Sequence, residues 1–163
     1  MSDLSLDDRL RLDDLRAEAE RRTTSRFNQF YPDGDGPLSR SKYQKHLDFF
    51  AAGHTKERLF MAANRVGKSE AGSYELTCHL TGVYPHWWTG RRFDEPVECW
   101  AVGTNSQTTR DIVQAKLLGS VQAPGTGMIP AHLIEKTINA RGLAGALEGA
   151  QVRHVSGGLS LVG

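Results

Sequence analysis

Gly67-Lys68-Ser69 is the run in this sequence whose residue types and order are best suited to chemistry. The apolar residues Leu59, Phe60, Met61, Ala62 and Ala63 lead into a short loop, and Lys68 then opens a segment with helical character. Strand, loop and helix in that order are the context that a phosphate-binding loop of the pattern G-x-x-x-x-G-K-S/T requires. A helix N-terminus carries unpaired N–H groups and the positive end of the helix dipole, and both attract phosphate oxygens. Gly67 lets the backbone pass close to a ligand through dihedrals closed to other residues. Lys68 places a compact positive charge between the β- and γ-phosphates. Ser69 offers a hydroxyl to Mg²⁺, which keeps most of its waters and accepts few protein ligands. The backbone of Asn64, Arg65, Val66, Gly67 and Lys68 would cradle the anion, and a nucleoside triphosphate is the expected ligand.

Two positions in the loop qualify this reading. Ala62, not glycine, stands at the first slot of the pattern. Arg65 lies where small residues are more usual, and two roles stay open for it. Its guanidinium can reach a γ-phosphate or the charge of a transition state, or it can pair with a neighbouring carboxylate such as Glu70.

The elements that must position the loop are bounded by length and composition. A chain of 163 residues suffices for one domain with a proper core. Charged residues at 24 % and hydrophobic ones at 39 % describe an ordinary globular protein. A formal net charge of +1 argues against binding DNA by bulk polyanion attraction, though not against local contact. No apolar stretch approaches the length of a membrane span, and the N-terminus has no signal-peptide character. Cys78 and Cys99 lack metal or redox spacing, so two reduced thiols in a cytoplasm are expected. Histidines are scattered without ligand geometry and read as core or surface residues.

Along the chain, residues 4–22 read as a charged surface or docking helix with a narrow stripe of Leu12, Leu15 and Ala19. Residues 32–37 are turn chemistry throughout. Helix returns over 41–52, with Tyr43, Leu47 and Phe50 on one face and Gly53 as a stop. Residues 68–81 continue as helix to Gly82, and Ala71, Tyr74 and Cys78 are expected to face a sheet. In the aromatic and basic run 84–93, Trp87 and Trp88 are expected to pin a loop over the core rather than stack on bases. A strand is expected over 96–103, and a helix from Thr108, capped with Asp111, to Leu118. A loop over 119–130 and a short helix over 132–140 follow. Two strands around a Gly157-Gly158 turn close the chain.

Taken together, HLDFFAAG, ERLFMAANRVGKSEAGSYELTCHLTG, YPHWWTGRRFDEPVECWAVG, TTRDIVQAKLLG, GTGMIP and VRHVSGGLS resemble the N-terminal ATPase region of tailed-phage terminase large subunits over residues 43–160. The resemblance implies an ATP·Mg²⁺-driven motor that threads double-stranded DNA into a capsid, with a portal protein and a small terminase subunit as partners, in the host cytoplasm. Such terminases tolerate a non-glycine first slot and often carry an arginine in the loop, which turns Arg65 toward a functional role. They also carry an aromatic–glutamine adenine motif upstream, for which Tyr43-Gln44 is the candidate. Burial on the helix face explains Tyr43 equally.

An ATPase of this class also needs an apolar strand ending in Asp for Mg²⁺, followed by a Glu that orients the attacking water. No such run follows Ser69, and Asp94-Glu95 sits in a loop context. The resulting expectation is an α/β, P-loop NTPase (ASCE-like) three-layer fold, partial, over 41–163, preceded by a helical and irregular extension over 1–40. Lys68 and Arg65 would serve catalysis, residues 64–69 with Tyr43 and Gln44 would bind the nucleotide, and Ser69 would hold the metal. A truncated, non-catalytic docking module and a helicase-like ATPase stay open as alternatives.

Overall fold

In the computed structural model, the structure describes residues 6–163 apart from 121 and 143. Its organising element is α4 (Lys68–Thr81), which is buried at Ala71, Ser73, Tyr74, Glu75, Thr77, Cys78, Leu80 and Thr81. Those positions surround the helix rather than forming one stripe, so α4 runs through the interior with other elements on several sides. Gly82, at φ 71°, ends it, and its N–H bonds the Cys78 carbonyl at 2.9 Å. A side chain there would meet His154 Nε2 at 2.4 Å, so packing and backbone conformation both demand glycine.

Two cores meet on this helix. The first is aromatic, built from Phe27, Tyr31, Phe50, Tyr74 and Trp88 around Ala71, Cys78 and Met128. It joins α2 (Arg26–Gln29) and α3 (Gln44–Ala51) to α4. Tyr74 stacks on Phe27 at 4.6 Å and takes the Tyr31 ring edge-on at 4.8 Å. The expected i, i+3, i+7 face of Ala71, Tyr74 and Cys78 is therefore buried, but against these aromatic rings and not against a sheet. Trp88 is buried with its indole N–H donated to the Arg91 carbonyl at 3.1 Å, so it pins the 84–93 loop as expected.

The second core holds Leu80, Leu117, Leu118, Ile129, Ala150, Val152 and Val162, with Leu76 and Val97 packed against it. It lies under a four-stranded sheet of order β1-β6-β5-β4. The strands are β1 (Glu98–Cys99), β4 (Ile134–Asn139), β5 (Leu147–Arg153) and β6 (Leu159–Val162). β1 runs parallel to β6, with Glu98 opposite Leu161, and the other pairs are antiparallel. A second ribbon pairs β2 (Gly119–Ser120) with β3 (Ala123–Pro124) inside the segment expected as a loop. The chain is thus a mixed α/β structure.

Several local expectations are corrected. The 132–140 segment forms β4 after a single 3₁₀ turn, Ala131–Leu133, because Ile134, Thr137 and Ile138 suit a pleated strand and β5 pairs along its edge. The helix expected from Thr108 begins earlier than its expected cap: Asn105 Oδ1 accepts the Thr108 N–H at 2.8 Å and starts α5 (Ser106–Thr108). A π-helical stretch, Thr109–Gln114, and α6 (Ala115–Leu117) continue it. The run 59–63, expected as a strand, pairs with no strand among the described residues; Leu59 and Met61 are exposed while Phe60 stacks on Phe49 at 4.9 Å. Strand pairing is set by distant sequence, so an apolar run alone does not secure it. At the N-terminus, α1 (Leu6–Thr24) carries Leu12 and Leu15 exposed, whereas Leu4 and the Ala19 side chain lie outside the described residues.

These placements separate core from surface in a way that mutation can check. Phe50→Ala removes a ring 1 % exposed and is expected to cost about 3–5 kcal/mol in urea unfolding. Leu15→Ala, on a residue 60 % exposed, should stay within about 0.5 kcal/mol of the parent.

Candidate functional site

The loop expected to bind phosphate lies at the surface, where α4 emerges from between the two cores. Residues 62–66 and Ser69 are exposed, and Gly67 and Lys68 are half-buried. Gly67 occupies the cap position of α4 in the left-handed region, φ 85° and ψ 18°, and its carbonyl accepts the Ala71 N–H at 2.8 Å. The cap residue, a glycine, has no side chain to offer this end of the helix. Among the described residues no side chain accepts the first-turn N–H groups, which is the arrangement an anion needs.

Arg65 is also left-handed, at φ 64°, and among the described residues only Tyr31 shares a positive φ without being glycine. A β-carbon in that region costs of order 1–3 kcal/mol and persists where the surroundings enforce it. The guanidinium forms no ion pair among the described residues, and the expected alternative partner is engaged elsewhere. Glu70 Oε1 accepts Arg26 Nη2 at 2.8 Å and also binds Lys116 Nζ. Arg65 does not pair with Glu70, whose Oε1 is taken by two cations from other elements.

Lys68 turns back on its own loop. Its Nζ donates to the Ala62 and Ala63 carbonyls, each at 2.7 Å. The ammonium thus bridges the beginning of the loop to the first turn of α4, and it stands within reach of any group seated over those N–H donors. Ser69, exposed one residue later, has its hydroxyl free of intramolecular partners among the described residues.

The upstream candidates divide. Tyr43 is half-buried, its ring 6.0 Å from Tyr31 and 5.0 Å from His46, and its hydroxyl donates to the Pro37 carbonyl at 3.2 Å. Gln44 is exposed and donates to Asp48 one turn along α3 at 2.8 Å. It also borders a recess lined by Asp33, Arg40, Ser41 and Leu47. The structure brings Tyr43 close to the loop's support and leaves Gln44 outward.

That support is a residue the sequence reading passed over. His46, on α3, is 5 % exposed and joins the loop to the aromatic core. Its Nε2 donates to the Val66 carbonyl at 2.9 Å, and Nδ1 accepts the Tyr31 hydroxyl at 2.8 Å. A carbonyl only accepts, so Nε2 carries the proton and the neutral ring leaves Nδ1 as the acceptor. Burial pushes the Tyr31 phenol far up, keeping it a donor. Nothing in the spacing of Tyr43, His46 and Leu47 distinguishes this histidine from an ordinary core residue, because its partner lies twenty positions downstream.

Two measurements follow from this geometry. Gly67→Ala must place a β-carbon at positive φ and 3.0 Å from His46 Cε1, so it should cost about 1–2 kcal/mol in chemical unfolding. Burial lowers the His46 pKa below the ordinary imidazole value of 6.5, against the opposing pull of the Val66 bond. An unfolded chain takes up this proton as pH falls through 6.5 while the folded chain resists it, so His46 favours unfolding increasingly below that pH. Thermal unfolding measured from about pH 7 to about pH 5 should show this decline. His46→Gln should lose part of it.

Residues 59–157 match the family described as terminase large subunit, T4likevirus-type, N-terminal. The terminase large subunit of Salmonella phage P22 is 35 % identical over 147 residues, covering 80 % of this chain and 28 % of that protein. The chain therefore spans little more than a quarter of that relative's length. No solved structure matches it. The matched region contains the loop, α4 and most of the sheet, and the chain belongs to the terminase large subunit family as part of its N-terminal region.

Proposed function

We propose that this chain supplies the ATP·Mg²⁺-binding loop of a DNA-packaging motor, within a P-loop NTPase fold. The observation that carries the reading is the start of α4, where Gly67-Lys68-Ser69 follows a left-handed Arg65 and no side chain among the described residues caps the helix. Lys68 exchanges the Ala62 and Ala63 carbonyls for the β- and γ-phosphates. The first-turn N–H groups bind the same anion, and the backbone from Asn64 to Lys68 wraps it. The Ser69 hydroxyl ligates Mg²⁺, which when bound neutralises charge on the phosphate oxygens. Arg65, unpaired and held in a costly conformation, reaches the γ-phosphate. Tyr43 and Gln44 contact the adenine, Gln44 by giving up its bond to Asp48.

Double-stranded DNA, a portal protein and a small terminase subunit are the partners this role entails. Hydrolysis requires a carboxylate that orients water. Glu70, the acid nearest the loop in sequence, is committed to Arg26 and Lys116, and Asp94 and Glu95 lie in an exposed bend. This chain is accordingly expected to bind nucleotide with little turnover of its own.

Calorimetry with ATP·Mg²⁺ on the 163-residue chain, paired with a phosphate-release assay, tests the reading. Binding with negligible release is expected, and Lys68→Ala should abolish binding without lowering the unfolding midpoint. Arg65→Ala should weaken ATP more than ADP, by about threefold to tenfold, as befits a charged hydrogen bond to the γ-phosphate. Unchanged ATP affinity in Lys68→Ala would overturn the phosphate-loop assignment. A folded parent chain that binds no nucleotide would favour a docking role instead.

A further inference from the structure

One hydrogen-bonded chain starts at Tyr31 and ends beside Arg65, the described non-glycine residues with positive φ. Tyr31 donates to His46, His46 donates to the Val66 carbonyl, and Val66 lies between Arg65 at φ 64° and Gly67 at φ 85°. Backbone strain at the start of this relay and next to its end on Val66 indicates that the relay enforces a conformation the loop would not adopt alone. We infer that His46 is a positioning residue that sets the phosphate-binding geometry of the loop by turning the peptide between Val66 and Gly67. This inference rests on the loop's proposed role as a phosphate site.

The physical link is the planarity of the peptide. The bond is trans, so its C=O and N–H point in opposite directions. Drawing the Val66 carbonyl inward to His46 therefore turns the Gly67 N–H outward, to the open side of the loop where the first-turn donors of α4 also point. The imidazole fixes this orientation from two sides. Its Nε2–H holds the carbonyl, and its ring packs against Gly67 closely enough that a β-carbon there would lie 3.0 Å from Cε1. The ring is held in turn by the Tyr31 hydroxyl and by edge-on contact with Phe60 at 5.5 Å. Phe60 belongs to the segment that leads into the loop, so entry and apex are tied to the same side chain. Without the relay, the Val66–Gly67 peptide is free to rotate and the Gly67 N–H loses its fixed aim.

The test uses tripolyphosphate beside ATP·Mg²⁺, because tripolyphosphate carries no base and is insensitive to the Tyr43 ring that neighbours His46. His46→Ala should weaken both ligands by about tenfold, the scale of one oriented hydrogen bond. His46→Gln, whose amide N–H can replace Nε2–H, should recover most of that loss. Tyr31→Phe, which frees the ring but leaves it in place, should lose about threefold. Nitrogen NMR of the imidazole should show the neutral Nε2–H tautomer in the parent chain. If Lys68→Ala abolishes tripolyphosphate binding while His46→Ala and Tyr31→Phe bind as the parent does, the positioning role is overturned and the phosphate loop stands. If the parent fails to bind, or Lys68→Ala binds unchanged, the phosphate-loop reading itself fails and carries the inference with it. Should His46→Ala not fold, unchanged affinity in Tyr31→Phe or an Nδ1–H tautomer overturns the inference.

Discussion

A helix buried on nearly every side has only its ends to offer, and α4 is such a helix. Its aromatic face is taken by Phe27, Tyr31 and Phe50, and on the sheet side its own Leu76 and Leu80 join the core of Leu117, Ala150, Val152 and Val162. Its far end is sealed by Gly82 against His154. The remaining polar outlet is the first turn at Lys68. Everything that fixes α4 in the two cores therefore fixes the direction in which its N–H groups point. The first turn thus inherits the rigidity of the interior without exposing any of the core.

The aromatic cluster does more than fill volume. Tyr31 is 2 % exposed and sits in a left-handed conformation, yet its hydroxyl is the polar group that reaches His46. A phenol buried among rings must place its O–H on a partner, and the imidazole is that partner. The imidazole must then dispose of its own N–H, and the Val66 carbonyl takes it. Each buried polar atom is satisfied by the next, so the demand for hydrogen bonding in the core is passed outward until it ends on the loop.

What was legible in the sequence was local. Gly67 and Gly82 bracket α4 because their conformations are closed to other residues, and the Gly157-Gly158 reversal joins β5 to β6 for a similar reason. Trp88 was legible as core from its size. Pairing was not legible. Residues 59–63 look like a strand to any reading of composition, but a strand is defined by its neighbour, and none of the described strands lies beside it. The 132–140 run, expected as a short helix, forms a strand because the distant β5 pairs with it. His46 was missed for the same cause: its role is a contact with Val66, and contacts between separated segments leave no mark at either one.

The ammonium of Lys68 resting on the Ala62 and Ala63 carbonyls has a consequence for exchange. A loop of outward N–H donors repels its own lysine and gains little from folding over empty space. Two neutral carbonyls at the loop entrance settle the ammonium without cancelling its charge. Under the proposed phosphate role, an anion that recruits Lys68 must first draw it off those carbonyls, so capture is weakened by what the two bonds are worth. Release is eased by the same margin, since the lysine has somewhere to return.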